Sequence, residues 1–293
     1  MAVPSLSFEF FPPQSDAALT QLGAVAQKLQ VASPQFCSVT FGAGGSTQEA
    51  TPRTVAELQS QLGMPVVPHI SCMAASSDEL SVLLDQYQSI GVTQLVVLRG
   101  DRPSGVGLWQ TEWTYASDLV AFIQKRYSNT FSIRVAAYPE SHPEASSMLA
   151  DIHALKLKQD AGANSALTQY FFNADSFYHY QALATQQGVT MPIIPGIMPI
   201  MDFEKLQRFS KRCEAEIPRW LVKQMESYSG DTASQYQLGL DVVTHLCEQL
   251  LAMGVQHLHF YTLNQSQTVQ AILQRLGVTS HQSAGTVTLS EGG

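Results

Sequence analysis

The sequence is poor in basic residues. Its 293 residues hold 16 Lys and Arg against 24 Asp and Glu, a formal net charge of −8. A protein that tracks nucleic-acid phosphates carries a basic stripe, so nucleic acid is excluded as a main partner. Any anionic ligand must be held by a few local cations and backbone N–H groups. No apolar run approaches the ~20 residues of a membrane span. The opening Met-Ala-Val-Pro-Ser has no basic stretch leading into an apolar one, so neither a secretory leader nor a membrane partner is expected. The expected location is cytoplasmic. Cysteine is scarce: Cys37, Cys72, Cys213 and Cys247 lie far apart without a C-x-x-C pair, which argues against a zinc ribbon or a redox dithiol. Cys37, Cys72 and Cys247 sit in apolar segments, as small buried thiols do. No internal repeat and no low-complexity linker divides the chain.

What is present is a globular composition, 45% hydrophobic and 14% charged. Eight short apolar, β-branched or aromatic runs recur: Ser5–Phe11, Phe36–Phe41, Pro65–Ser71, Gln94–Gly100, Ile133–Pro139, Ala166–Phe172, Pro192–Met198 and His257–Leu263. Amphipathic, helix-like stretches follow them. Asp16 precedes the periodic stretch Leu19–Leu29, Ser76 and Ser77 precede Asp78–Ile90, and Gly91 and Gly254 stand at helix ends. Alternating strands and helices predict parallel βαβ units, and eight of them predict a closed α/β (TIM) barrel. The stretch from Met201 to Met253 is longer than one crossover requires, so extra helices are expected between the seventh and eighth runs. Residues 1–278 are expected to form a single catalytic barrel, and the small, polar residues 279–293 a C-terminal tail.

An α/β barrel carries its active site at the carboxyl ends of its strands. Glu9, His69, Arg99-Gly100-Asp101, Tyr138, His142, Gln169 and Asn264 all fall there. Within Ser7–Pro13, period-two alternation puts Ser7, Glu9 and Phe11 on one face and Phe8 and Phe10 on the other. A carboxyl in apolar company is expected to have a raised pKa and to serve as a general acid. The competing reading pairs Glu9 with a buried Arg or Lys. Asp101 suits a donor-rich heterocycle, while Arg99 suits either a phosphate or a local ion pair. Gly42–Thr47 is glycine-rich but fits neither phosphate-loop pattern, which favours a loop lining the mouth. His257 and His259 share a strand face. A metal needs three or more convergent ligands, and no metal is expected.

These residues resemble the bacterial methylenetetrahydrofolate reductase family over about Ser5 to Val278. The resemblance rests on ordered stretches, among them Ser-Phe-Glu-Phe-Phe-Pro-Pro at 7–13, Leu-Arg-Gly-Asp at 98–101, Ala-Ala-Tyr-Pro-Glu-Ser-His-Pro-Glu-Ala at 136–145, Thr-Gln-Tyr-Phe-Phe at 168–172, Ile-Pro-Gly-Ile-Met-Pro at 194–199 and His-Phe-Tyr-Thr-Leu-Asn at 259–264. It implies FAD at the barrel mouth, with NADH (or NADPH) and a folate taking turns over the flavin in a ping-pong hydride transfer. NADH is the expected donor. The implied catalytic residues are Glu9, the general acid that opens the folate's imidazolidine ring, and Asp101, beside the flavin pyrimidine and the pterin. The implied FAD contacts are Thr40, Phe41, Ala43, His69, Arg99, Gly100, Asp101, Tyr115, Ala116, Tyr138, His142, Ala145, Asp151 and Lys158. Gln169, Phe209 and Gln265 are the implied substrate contacts.

The chain departs from the family pattern in places. Phe41 stands where Tyr is common, Leu157 and Gln265 where basic residues are frequent, and Lys205 where a relative has Gln. These changes bear on ligand affinity and on the choice of reductant. Other readings are a different flavin-dependent barrel oxidoreductase, a metal-dependent barrel hydrolase, and a non-catalytic reductase-like folate-binding subunit. Apolar helices on a barrel exterior are compatible with a homo-oligomer, which is the expected assembly.

Overall fold

The computed structural model describes residues 3–41, 50–72, 76–100 and 112–278. The Gly42–Thr47 loop, Ala43, Asp101 and the expected tail 279–293 therefore lie outside the described residues. The chain begins β1 (Ser5–Phe10), α1 (Asp16–Gln30), β2 (Phe36–Val39), α2 (Ala50–Gln61), β3 (Val66–Ser71) and α3 (Ser77–Ser89). It continues with β4 (Gln94–Leu98), α4 (Ala116–Tyr127), β5 (Ser132–Ala137), α5 (Met148–Asp160), β6 (Ser165–Thr168) and α6 (Ala174–Gln186). The last part holds β7 (Ile193–Ile194), β8 (Gly196–Ile197), α7 (Phe203–Cys213), α8 (Arg219–Ser227), α9 (Thr232–Ala252), β9 (His257–Tyr261) and α10 (Gln267–Arg275). The extra helices expected before the last strand are α7 and α8, ahead of α9.

All strand pairs are parallel, in the order β7-β6-β5-β4-β3-β2-β1-β9-β8. The two ends of that order, β7 and β8, are separated in the chain by Pro195 alone, so the sheet closes into a barrel. The sequence pattern predicts eight strands, and the described residues hold nine because the run Pro192–Met198 is broken. Proline has no N–H for the ladder. Ile193 and Ile194 pair with Ala166 and Leu167 on β6, whereas Gly196 and Ile197 pair with His259 and Phe260 on β9. The Pro195 carbonyl still accepts from His259 N at 3.1 Å.

Strand alternation sorts the core into two layers. Leu6, Phe8, Phe10, Cys37, Val39, Ile70, Leu95 and Val97 face the helices in the large outer cluster. Phe36, Val67, Val96, Leu167 and Ile194 form a smaller cluster inside the barrel. Burying the three β1 residues of the outer layer contributes roughly 1.5–3 kcal/mol each. Helix boundaries follow local chemistry. The side chain of Ser15, rather than Asp16, caps α1 by accepting from Ala18 N, and Asp16 lies in the first turn, where the helix dipole favours an acid. Ser76 and Glu79 form a reciprocal capping box on α3, and Gly91 follows at φ 82°. The buried thiols of Cys37, Cys72 and Cys247 agree with their apolar context.

Candidate active site

The described residues expected to contact cofactor or substrate fall at the carboxyl ends of the strands or on the following helices, in three groups. The first is built around Glu9. Alternation on β1 turns Ser7 and Glu9 into the barrel, as expected. Glu9 Oε2 lies 3.5 Å from His259 Nε2 on β9, 3.4 Å from Ser38 Oγ on β2 and 3.3 Å from His69 Nε2 on β3. The His69 contact is electrostatic, because its Nε2 makes no aligned hydrogen bond. Neither of the two sequence expectations for Glu9 describes this environment. Among the described residues its partners are imidazoles and a hydroxyl, not Arg or Lys. Burial does push the carboxyl up, but the charge of His69 and hydrogen bonding to His259 outweigh it and hold the group down to about 2. Phe8 and Phe10, its neighbours in sequence, face the helices, and the side chains that reach the Glu9 carboxylate inside the barrel, Ser38, His69 and His259, are polar.

The second group lies beyond β4 and β5. Arg99 Nη1 meets Glu144 Oε2 at 2.5 Å, so the local pairing of Arg99 is present. Glu144 N donates to His142 Nδ1 at 3.1 Å, and the Tyr138 ring meets His142 edge-on at 4.6 Å. Ala145 N donates to the His142 carbonyl at 2.8 Å, closing that turn. Gly100 adopts φ 81°, a conformation that favours glycine. From α5, Asp151 and Lys158 stand two turns apart on one face. Lys158 Nζ donates to the Ala136 carbonyl on β5 at 2.9 Å, and burial lowers its ammonium to about 8. Asp151 is buried, its pKa is raised by that burial, and its Oδ2 has no hydrogen-bond partner. Tyr115 is exposed ahead of α4, and the next residue, Ala116, is buried. Thr40 N bonds the Phe10 carbonyl at 2.9 Å, and Phe41 is half-buried beside it.

The third group is aromatic. Tyr170, next to Gln169, stacks on Phe209 of α7 at 6.1 Å and meets Tyr261 edge-on at 6.3 Å. Gln169 Oε1 accepts from Tyr170 N at 3.0 Å. Gln265 is exposed, its N–H turned back to the Thr262 carbonyl at 2.9 Å. Tyr261 joins the groups: its hydroxyl donates to the Thr168 carbonyl at 2.5 Å, and its ring lies edge-on to His259 at 5.3 Å. Of the departures, Lys205 pairs with Asp202 at 3.2 Å and Leu157 is exposed.

Sequence reasoning missed Glu144, Ser38 and Tyr261 as partners, and weighed His259 only as a metal ligand. A usable signal existed for His259. In a closed barrel the last strand lies beside the first, so alternation on β9 places it against Ser7 and Glu9.

The methylenetetrahydrofolate reductase family model matches residues 2–277. The chain belongs to this family. The 5,10-methylenetetrahydrofolate reductase of Escherichia coli K12 is 36% identical over 274 residues, 94% of this chain and 91% of the relative. That of Buchnera aphidicola from Schizaphis graminum is 37% identical over 272 residues, 93% and 91% of the two chains. Among solved structures, a Clostridium thermocellum protein that binds two copies of 5-methyl-5,6,7,8-tetrahydrofolic acid shares the fold. It has a TM-score of 0.61 at 15% identity, with 92% and 93% of the chains covered. Among the described residues, no helix is long and apolar enough to cross a membrane.

Proposed function

We propose that this chain reduces 5,10-methylenetetrahydrofolate to 5-methyltetrahydrofolate, with FAD as its resident cofactor and NADH as the reductant, the two substrates reacting in turn. The observation that carries the reading is a half-buried carboxyl at the end of β1, flanked by two imidazoles, in a barrel of this family. The second group fits an anionic dinucleotide. Arg99 and Lys158 are the cations for its phosphates, and the orphaned Asp151 Oδ2 is a buried acceptor for hydroxyl or amide donors. Thr40, Phe41, His69, Gly100, Tyr115, Ala116, Tyr138, His142 and Ala145 complete that binding surface, and the family resemblance adds Ala43 and Asp101, which lie outside the described residues. When bound, the flavin relays a hydride from the nicotinamide to the folate.

The protein's own contribution is proton supply and orientation. Ring opening of the folate needs a proton on its departing nitrogen. Held down to about 2, Glu9 keeps no proton of its own at neutral pH. It therefore acts as the last member of a cluster, taking a proton from an imidazole as it passes one to the folate. Phe209, half-exposed and backed by Tyr170, offers a stacking face for the pterin or the nicotinamide, and Gln169 and Gln265 are the polar contacts the family resemblance assigns to the substrate. Asp101, which lies outside the described residues, takes from the family resemblance the role of a negative charge for the developing pterin cation. A cytoplasmic location and a homo-oligomeric assembly go with this reading.

Anaerobic stopped-flow mixing tests it. NADH should bleach the flavin, and methylenetetrahydrofolate should restore it with formation of 5-methyltetrahydrofolate. Glu9→Gln should spare the first step and slow the second by ~10²–10⁴-fold. Equal slowing of both steps, or a flavin that folate does not reoxidise, would refute the assignment.

A further inference from the structure

Below Glu9 the barrel interior holds a continuous polar column. Ser7 Oγ is 2.7 Å from His259 Nδ1 and 2.8 Å from His257 Nε2. The far nitrogen of His259, Nε2, faces Glu9 Oε2 at 3.5 Å. Ser7 and His259 are fully buried, while His257, which opens β9 at the amino-terminal end of the barrel, is partly exposed. We propose that His257, Ser7 and His259 form a proton relay that supplies Glu9 from the amino-terminal end of the barrel, opposite the substrate mouth. The proposal rests on the reading of Glu9 as the acid toward the folate.

The chemistry gives the column a direction. A serine hydroxyl has one proton, so at most one of the two rings it touches can accept from it, and the other must donate to it. When His259 Nδ1 accepts, its remaining proton sits on Nε2, facing Glu9. Transfer then proceeds as a set of coupled shifts. His259 Nε2–H goes to Glu9 Oε2, the Ser7 hydroxyl proton goes to His259 Nδ1, and His257 Nε2–H goes to Ser7 Oγ. His257 takes a replacement at Nδ1 from solvent. One proton enters, one arrives on Glu9, and no ring becomes an imidazolium. Rotation of the Ser7 hydroxyl and a tautomer shift reset the column.

The surroundings favour this neutral route. Arg134 of β5 lies over the Phe36 ring at 4.0 Å, and that ring packs 5.8 Å from both His257 and His259. Burial first, then the other histidine and Arg134, lower His257 to about 4; burial likewise lowers His259 against the pull of Glu9. Among the described residues, the charged and titratable groups facing the column are thus Glu9 on β1, His69 on β3, Arg134 on β5, and Tyr261 beside the histidines on β9. The 3.5 Å step is long for proton transfer, and such contacts shorten when the substrate complex forms.

The test compares reoxidation of the NADH-reduced holoenzyme by methylenetetrahydrofolate in H₂O, D₂O and their mixtures. Ser7→Ala should slow it by about tenfold or more, leave flavin reduction by NADH at the wild-type rate, and turn a curved proton inventory linear. Ser7→Thr, which keeps the hydroxyl, should recover most of the loss. His257→Gly should be slow and be rescued by added imidazoles, at rates that follow their pKa. Histidine ¹⁵N spectra of the resting enzyme should show His259 as the Nε2–H tautomer. An unchanged rate and isotope effect in Ser7→Ala would overturn the relay, leaving His69 as the donor. Equal slowing of both half-reactions, absence of imidazole rescue, or an Nδ1–H tautomer at His259 would overturn it too. The acid reading fails separately, through a Glu9→Gln enzyme that still turns over folate.

Discussion

Replacing Lys158 by methionine should stabilise the flavin-free protein while removing its grip on the cofactor. Lys158 carries its ammonium back to the Ala136 carbonyl, and burial drops its pKa from the ordinary 10.5 to about 8. At about 1.36 kcal/mol per pH unit, that drop amounts to roughly 3 kcal/mol of stability forgone at neutral pH. The attraction to Asp151 is already contained in the value of 8. Loss of the Ala136 hydrogen bond returns ~1 kcal/mol, leaving a net gain of about 2 kcal/mol for Lys158→Met. The sign follows from proton binding. Below 10.5 the unfolded chain takes up the proton while the folded chain does not until about 8, so the penalty grows as pH falls through that window and is constant beneath it. Urea denaturation of the flavin-free proteins at pH 7 and pH 9.5 should show the advantage shrinking by about half or more at the higher pH. Wild-type FAD affinity should weaken as pH rises above about 8, and the variant should bind FAD poorly at every pH. A Lys158→Met protein no more stable than wild type at pH 7 would refute the desolvation argument. One with unchanged FAD affinity would remove Lys158 from the cofactor site.

Other substitutions probe the frame around the site. A Cβ at Gly196 would fall 2.3 Å from the Thr168 carbonyl oxygen and 2.5 Å from Tyr261 Cε2. Gly196→Ala should therefore cost about 2–4 kcal/mol in denaturant titration by breaking the Tyr261 bond to Thr168; an unchanged midpoint would contradict the close approach. Asn264, at φ 56°, clamps the end of β1 by accepting from Phe11 N at 3.0 Å and donating to Phe11 O at 2.9 Å. Asn264→Ala should lose about 1–2 kcal/mol, read as a lowered melting temperature. Phe209→Ala removes a stacking face worth about 1 kcal/mol, so KM for the folate should rise five- to tenfold with stability nearly unchanged; a fall in kcat alone would exclude a binding role.

The order of strands and helices, the extra helices after β8, and the inward set of β1 were legible in the sequence because side-chain periods and cap residues are local properties. So was the family, through motifs that sit at strand ends. The split of the seventh run at Pro195 was also written there, as a missing N–H, though its effect needed partners on both sides to become visible. The ionisation of Glu9 was not legible. Its sequence neighbours are phenylalanines, which argue for a raised pKa, but those rings point to the helices. His69 and His259, separated from Glu9 by 60 and 250 residues, reach it only when the barrel closes. Likewise, the resemblance marks Asp151 and Lys158 as FAD contacts, but only packing leaves one carboxylate oxygen buried without a hydrogen-bond partner and one ammonium against a strand carbonyl. A linear pattern determines which face a side chain takes. Closure of the barrel decides what it meets there, and with that its charge.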